Sequence, residues 1–199
     1  MALGGIIWPA GAKLKQELGD FKKLSDPAAK DEVAAAQAKA KDYLVKVFKN
    51  TNVLDPSACA ATNTFIQREI GDVLITWENE AFLASESLGK GEYEIVVPKV
   101  SILAEPPVAV VDRNVDKSGT RDVAEAYLKH LYSPAGQQLA AKHHYRPADS
   151  ALISEDERNH FAQVELFTID DVFGGWKKAQ AEHFADGGAF DDILKTAKQ

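Results

Sequence analysis

The sequence predicts an α/β fold with mainly parallel sheets flanked by helices. Short, nearly continuous apolar runs alternate along the chain with longer amphipathic segments, and turn residues separate them. A continuous apolar run is typical of a strand buried on both faces, as in a parallel sheet. Strands that alternate with helices are typical of α/β proteins.

Two helices are predicted in the first part of the chain. Asp26 followed by Pro27 is a typical helix start, because Asp caps the first amides and Pro fits the first helical position. Apolar residues then recur at steps of three and four, which predicts an amphipathic helix over 27–49. A second helix is expected from Thr62 or Asn63 to Gly71. The apolar stripe of the first helix is Val33, Ala36, Ala40, Leu44 and Val47.

Three apolar runs are predicted to be strands. They are 72–77 (DVLITW), 93–97 (YEIVV) and 108–112 (VAVVD). The remaining periodic segments are predicted to be helices, and Gly89 is placed to end the first of them. These segments are 78–88, 120–132, 134–142, 176–184 and 190–198.

Composition excludes several classes of protein. The 199 residues include 23 Lys and Arg against 30 Asp and Glu, so the formal net charge is −7. Nucleic-acid binding requires a basic surface, so we expect no nucleic-acid partner. No apolar run approaches the ~18–20 residues of a membrane helix, so we expect a chain that is not membrane-embedded. Residues 1–12 lack the basic start of a signal peptide.

Candidate catalytic and metal-binding residues are few. The single cysteine, Cys59, excludes an intramolecular disulfide and a multi-thiolate metal site. It could be the nucleophile of a hydrolase if a distant histidine served as its base. Adjacent side chains on a helix, such as those of His143 and His144, point about 100° apart and do not share a face. We therefore expect no metal site at this pair. No glycine-rich phosphate loop occurs, and we expect neither a metal nor a cofactor.

The loop 55–63 (DPSACAATN) is a candidate anion site. Its small side chains allow a ligand to approach the backbone, and the first amides of the following helix have no intrahelical partner. Trp77 ends the predicted strand 72–77, and ligands of open α/β sheets bind at the carboxyl ends of strands. Its indole N–H donates but cannot accept a hydrogen bond, which favours a deprotonated oxyanion. A core tryptophan and a simply capped helix remain the alternative.

Four segments of the chain resemble the sulfate-binding proteins of bacterial sulfate/thiosulfate ABC importers. They are NVLDPSACAATNTFIQREIGDVLITWENEAFLA, SILAEPPVAVVD, AEAYLKHLYSPAGQQLAAKHHYRP and LFTIDDVFGGWKKAQAEHF. The resemblance runs from about Ala12 to Ala185. It implies a two-lobe type II periplasmic-binding fold, here incomplete, with a periplasmic location, sulfate or thiosulfate as ligand and an ABC-importer permease as partner.

The resemblance also implies a ligand set. In this family uncharged donors hold the dehydrated anion, and the matching positions are the Ala58 amide and the Trp77 indole. Ser57 and Cys59 flank Ala58 in the same loop and belong to the candidate set, although Cys59 replaces an arginine of the family pattern. The two glycines of the family's S-G-G-A-R-W segment match Gly4 and Gly5, whereas its serine and arginine correspond to Leu3 and Ile7.

The expected organisation follows from the same resemblance. Residues 1–11 do not match the family, 12–100 would form the remainder of the second lobe, and 101–199 would return into the first lobe and end in helices. Family members carry a further N-terminal segment, so we expect marginal stability or self-association and sulfate affinity far below the family's. The alternatives are a hydrolase using Cys59 and a non-functional fragment that needs a complementing N-terminal chain.

Overall fold

The computed structural model describes residues 4–88 and 91–199, and most of them are helical. Three short 3₁₀ turns and two π-helical turns, Ala84–Leu88 and Gln180–Phe184, complete the helical segments. The α-helices are α1 (Gly4–Leu18), α2 (Lys30–Lys49), α3 (Ala58–Arg68), α4 (Glu78–Leu83), α5 (Asp112–Ser118), α6 (Arg121–Leu131), α7 (Pro134–Lys142), α8 (Glu155–Asn159), α9 (Ile169–Phe173), α10 (Trp176–Ala179) and α11 (Ala189–Ala197).

The predicted helices are confirmed, with small shifts at their ends. Asp26 accepts a hydrogen bond from the Ala28 amide at 2.8 Å, as its position before Pro27 predicts. The second helix was expected to begin at Thr62 or Asn63, but α3 begins at Ala58. It ends at Arg68 because Glu69 adopts a left-handed conformation with φ 53°. Gly89, the expected end of the following helix, lies outside the described residues.

The predicted strand positions were wrong, whereas the predicted parallel orientation of the sheet was right. The strands of the described chain are β1 (Val100–Ile102) and β2 (Glu165–Phe167), which pair in parallel with Val100 opposite Glu165. The segments 72–77, 93–97 and 108–112 form no strand. In the part of the chain that the structure describes, 4–88 and 91–199, the sheet consists of β1 and β2. The three predicted segments therefore have no neighbouring strand with which to form a ladder.

These three segments expose the apolar side chains that predicted burial. Val73 is 80% exposed, Val96 82% and Val111 60%. In 73–77 exposed residues alternate with half-buried ones, as an extended chain with one packed face requires. A parallel α/β fold is therefore present, but in a form with a small sheet and open apolar edges, consistent with an incomplete periplasmic-binding fold.

The chain divides into two compact units, each assembled from separate stretches of sequence. Unit 1 comprises the described residues up to Thr76 together with Val96–Ala104 and Val164–Gln199. Unit 2 comprises the described residues of 77–95 together with Glu105–Gln163. The lobe boundaries implied by the resemblance stay a prediction.

The core of unit 1 forms between its first two helices and the C-terminal segments. Leu14 and Leu18 of α1 pack against Ala36 and Ala40 of α2. Further along α2, Phe48 meets Phe190 of α11 edge-on, with ring centroids 5.4 Å apart. The predicted apolar stripe of α2 is therefore its buried face, since Leu44 is also buried there.

Helix α1 was not predicted, and tertiary packing accounts for it. The helix continues through Pro9, and Ile7 is buried against Ile169 and Ala179. Gly11 lies directly against the ring of Phe167: a Cβ at this position would be 2.2 Å from the ring's Cζ atom. The Trp8 indole donates to the Val100 carbonyl at 2.7 Å, which joins α1 to β1.

Unit 2 is built from short helices around a smaller core. Ala141, Ile153 and Phe161 are buried together, and Phe82 of α4 packs against them. Gln137 is buried on α7, where its side chain donates to the Leu131 carbonyl at 2.7 Å and accepts from the Ala148 amide at 2.6 Å. Among the helices described, none combines the length and the apolar character needed to span a membrane.

Candidate functional site

The N-terminus of α3 is formed by the loop that the sequence singled out. Ser57 is the N-cap, and its hydroxyl accepts a hydrogen bond from the Ala60 amide at 3.2 Å. Ala58 is the first helical residue, so its amide has no intrahelical partner. The helix has 11 residues, and the partial positive charge at its N-terminus favours an anion.

Ser57 and Cys59 are exposed on either side of Ala58, which is half-buried. The Ser57 hydroxyl is occupied in capping, although its oxygen keeps a proton that it can donate. The small side chains of Ala58 and Ala60 allow a ligand to approach the backbone at this end of the helix. This end of α3 can therefore present backbone and hydroxyl donors to an anion.

Trp77 precedes α4 as its N-cap residue and does not end a buried strand, contrary to the prediction. Its backbone is extended, and its side chain is 38% exposed. Trp77 is therefore not a core residue here, whereas the capped helix of the same alternative is present at Ser57. The neighbouring Thr76 hydroxyl is buried without a hydrogen-bond partner in the part of the chain that the structure describes.

The first turn of α4 is held in place by the segment after α7. Arg146 donates two hydrogen bonds to the Glu78 carboxylate, at 2.6 and 2.7 Å, and a third to the Ala162 carbonyl at 2.8 Å. The amide of Asn79 donates to the Tyr145 hydroxyl at 3.2 Å. A bidentate guanidinium fixes both direction and distance, so the backbone that carries Trp77 is well defined.

The other candidates belong to a different unit from Trp77. Gly4 and Gly5 are the first two residues of α1 and belong, like Ala58, to unit 1. Trp77 belongs to unit 2. A ligand set that combines Ala58 with Trp77, Gly4 and Gly5 therefore stays a prediction.

The candidate site presents neutral hydrogen-bond donors. A helix N-terminus, a hydroxyl and an indole suit a small oxyanion. Cys59 lies in the first turn of α3 and is exposed. A donor set of this kind suits a small anionic ligand.

Comparison with known proteins identifies the class. A family model for bacterial extracellular solute-binding proteins matches residues 14–146, and the chain belongs to this family. It is 60% identical over 159 residues to the sulfate-binding protein of Escherichia coli K12, which covers 80% of this chain and 48% of that protein. It is 48% identical over 155 residues to the thiosulfate-binding protein of Pseudomonas aeruginosa, covering 78% of this chain and 46% of that one.

A more distant relative extends the comparison. The sulfate-binding protein of Synechocystis is 38% identical over 153 residues, covering 77% of this chain and 43% of that protein. The resemblance to sulfate- and thiosulfate-binding proteins seen in the sequence is therefore confirmed. The chain spans about half the length of the curated relatives that it matches.

Proposed function

We propose that this chain binds a tetrahedral sulfur oxyanion, sulfate or thiosulfate, as a solute-binding protein of an ABC importer. The observation that carries the proposal is the Ser57-capped N-terminus of α3, whose Ala58 amide is available to an anion. The names of the relatives support the ligand, since they are sulfate- and thiosulfate-binding proteins.

The mechanism we propose involves binding without any covalent step. The first-turn amides of α3 meet the oxyanion through the helix dipole, and charge-assisted hydrogen bonds offset part of its desolvation. Trp77, Gly4 and Gly5 are further proposed donors, on the resemblance to the family's ligand pattern alone. The backbone amides and the indole N–H favour a fully deprotonated anion, because neither group can accept a hydrogen bond from it.

Location and partner follow from the same assignment. We propose that the chain functions in the bacterial periplasm and delivers its anion to the permease of the importer. The family is one of extracellular solute-binding proteins, which supports a role outside the cytoplasmic membrane.

The test removes one donor without removing the helix. Ala58→Pro deletes the amide hydrogen at the first helical position, where proline is well tolerated. Ala58→Gly is the matched control, because it keeps the amide. A charge-assisted hydrogen bond contributes about 1.5–3 kcal/mol, so we expect sulfate affinity to fall by about 10- to 150-fold in the proline variant.

Isothermal titration with sulfate and with thiosulfate measures this difference, and circular dichroism checks that the helix content is kept. Trp77→Phe is expected to weaken binding over a similar range, whereas Trp176→Phe, which alters an exposed tryptophan of α10, is expected to leave it unchanged. Absence of heat with both anions, or equal affinity of the Ala58→Pro and Ala58→Gly chains, would contradict the proposal.

A further inference from the structure

Unit 2 contains a cluster of three potential metal ligands that the proposed anion site does not use. Glu86, His144 and His160 each place one ligand atom within 4.8 Å of the others. The Nδ1 atom of His144 lies 3.2 Å from the Nε2 atom of His160. The Glu86 carboxylate lies 3.5 Å from Nε2 of His144 and 4.0 Å from Nε2 of His160.

The cluster forms because three helical segments end at one place. His144 follows α7 in the left-handed conformation with φ 63°, where its amide donates to the Ala141 carbonyl. His160 is the C-cap residue of α8, and Glu86 belongs to the π-helical turn after α4. Histidine is more common in the left-handed region than most residues, but the position does not require it, since Asn and Gly fit there as well.

Phe82 orients both imidazole rings. Its ring stacks on His160 with a centroid distance of 4.3 Å and an interplanar angle of 30°. It also stacks on His144 at 5.1 Å and 26°. The two imidazoles therefore lie on one face of a half-buried aromatic ring, with their nitrogens close to each other and to the carboxylate. Such stacking restricts the rings to a narrow range of orientations, which lowers the entropy lost when they take a ligand.

The spacing of the nitrogens suits a tetrahedral ion. Zinc binds imidazole nitrogen at about 2.0–2.1 Å, so two ligands at the tetrahedral angle are about 3.3 Å apart. The two ring nitrogens already have this spacing. Since the ligand atoms of the three residues lie within 4.8 Å of one another, the Glu86 carboxylate must approach by up to about 1.5 Å, which a side chain that is 46% exposed can do by rotation.

We propose that Glu86, His144 and His160 form a binding site for a divalent transition-metal ion, Zn²⁺ in the first place. Two imidazoles and one carboxylate are a ligand set typical of zinc, and they leave the fourth position to water. His160 is 35% exposed, so the ion can enter from solvent. The alternative arrangement is a hydrogen bond between the two rings, in which one nitrogen must carry a proton and a metal ion is excluded.

Titration of the untagged full-length chain with Zn²⁺, in buffer freed of metal by a chelating resin, tests the site. We expect one ion per chain. His160→Asn and His144→Asn are expected to weaken binding by more than about 100-fold, since loss of an outer-shell partner alone costs 10- to 100-fold. Asparagine keeps the left-handed conformation at position 144. His143→Asn, which alters the exposed neighbour of His144, is the matched control and is expected to bind as the parent does.

Two further measurements keep the result independent of folding. Glu86→Gln changes an exposed side chain and is expected to reduce zinc affinity while the circular dichroism spectrum stays unchanged. Co²⁺ bound in place of Zn²⁺ is expected to show the intense visible bands of a tetrahedral site, and these bands are lost in His160→Asn. Stoichiometry below one ion per chain, or equal weakening in the His143→Asn control, overturns the proposal.

Discussion

Replacing Gly11 with alanine tests how closely α1 packs on the sheet. The new Cβ would lie 2.2 Å from Cζ of Phe167 and under 3 Å from both neighbouring ring carbons. Ordinary contact requires about 3.5–4.0 Å, so helix and ring must separate by more than 1 Å. Phe167 is only 3% exposed and cannot swing into solvent. Overpacking of this kind costs about 3 kcal/mol at the upper end of its usual range.

The same substitution also stabilises the helix, because it removes a glycine from its interior. Alanine is favoured over glycine in a helix by about 1 kcal/mol, so the net loss expected for Gly11→Ala is about 2 kcal/mol. For a chain of this size that corresponds to a fall in Tm of about 4–8 °C. Urea unfolding followed by circular dichroism and a thermal scan both measure it.

Two control variants separate the two effects. Ala12→Gly, at the next position of α1, measures the helix-propensity effect alone and is expected to cost about 1 kcal/mol. Phe167→Leu makes room at the contact, so Gly11→Ala is expected to be much less destabilising in that background. If Gly11→Ala stabilises the parent chain, or destabilises both backgrounds equally, the close contact is not the cause.

Three other changes test particular groups. Thr76→Val removes a buried hydroxyl that has no partner among the described residues and is expected to leave stability unchanged or to raise it by about 1 kcal/mol in urea unfolding. Arg146→Gln breaks the bidentate contact with Glu78 and is expected to cost about 1–2 kcal/mol, whereas Arg113→Gln, at an exposed position, is expected to cost less than about 0.5 kcal/mol. Burial lowers the pKa of His183 below 6.5, with Glu182 opposing the shift and Lys178 adding to it, so the unfolded chain takes up the proton more readily. Stability is therefore expected to fall as pH drops through and below 6.5, and His183→Phe is expected to reduce that slope between about pH 7.5 and 5.5. Equal slopes for the two chains would count against the assignment to His183.

Helices with their own sequence signals were predictable, whereas strands were not. Asp26 and Pro27 mark the approach to α2, and Ser133 caps α7 at the predicted place. The apolar runs that contain Val73 and Val96 predicted buried strands, because a continuous apolar run indicates burial on both faces. A strand also needs a neighbour, and pairing with a distant segment is not visible in the run itself. Helix α1 was missed for the same reason, since its burial depends on residues such as Phe167.

The candidate site was partly predictable. A loop of small residues before a helix indicates an anion site from local sequence alone, and Ser57 and Ala58 have the roles that the pattern predicts in capping the helix and beginning it. The cluster of Glu86, His144 and His160 was missed, because the sequence argument considered only neighbouring histidines. The three residues are far apart along the chain, and a left-handed residue after α7 brings them together. A rule based on sequence spacing cannot reveal a cluster that depends on this turn.

The core of unit 1 joins residues that are synthesised early with residues that are synthesised last. The first helices of unit 1 complete their core only with residues near the C-terminus, since Phe48 packs on Phe190 and Val100 pairs opposite Glu165. Leu14 and Leu18 can pack on α2 early in synthesis, but the contact of Phe48 with Phe190 forms only after nearly the whole polypeptide has left the ribosome. A ribosome that stalls before α11 therefore leaves a nascent chain whose first unit is incomplete.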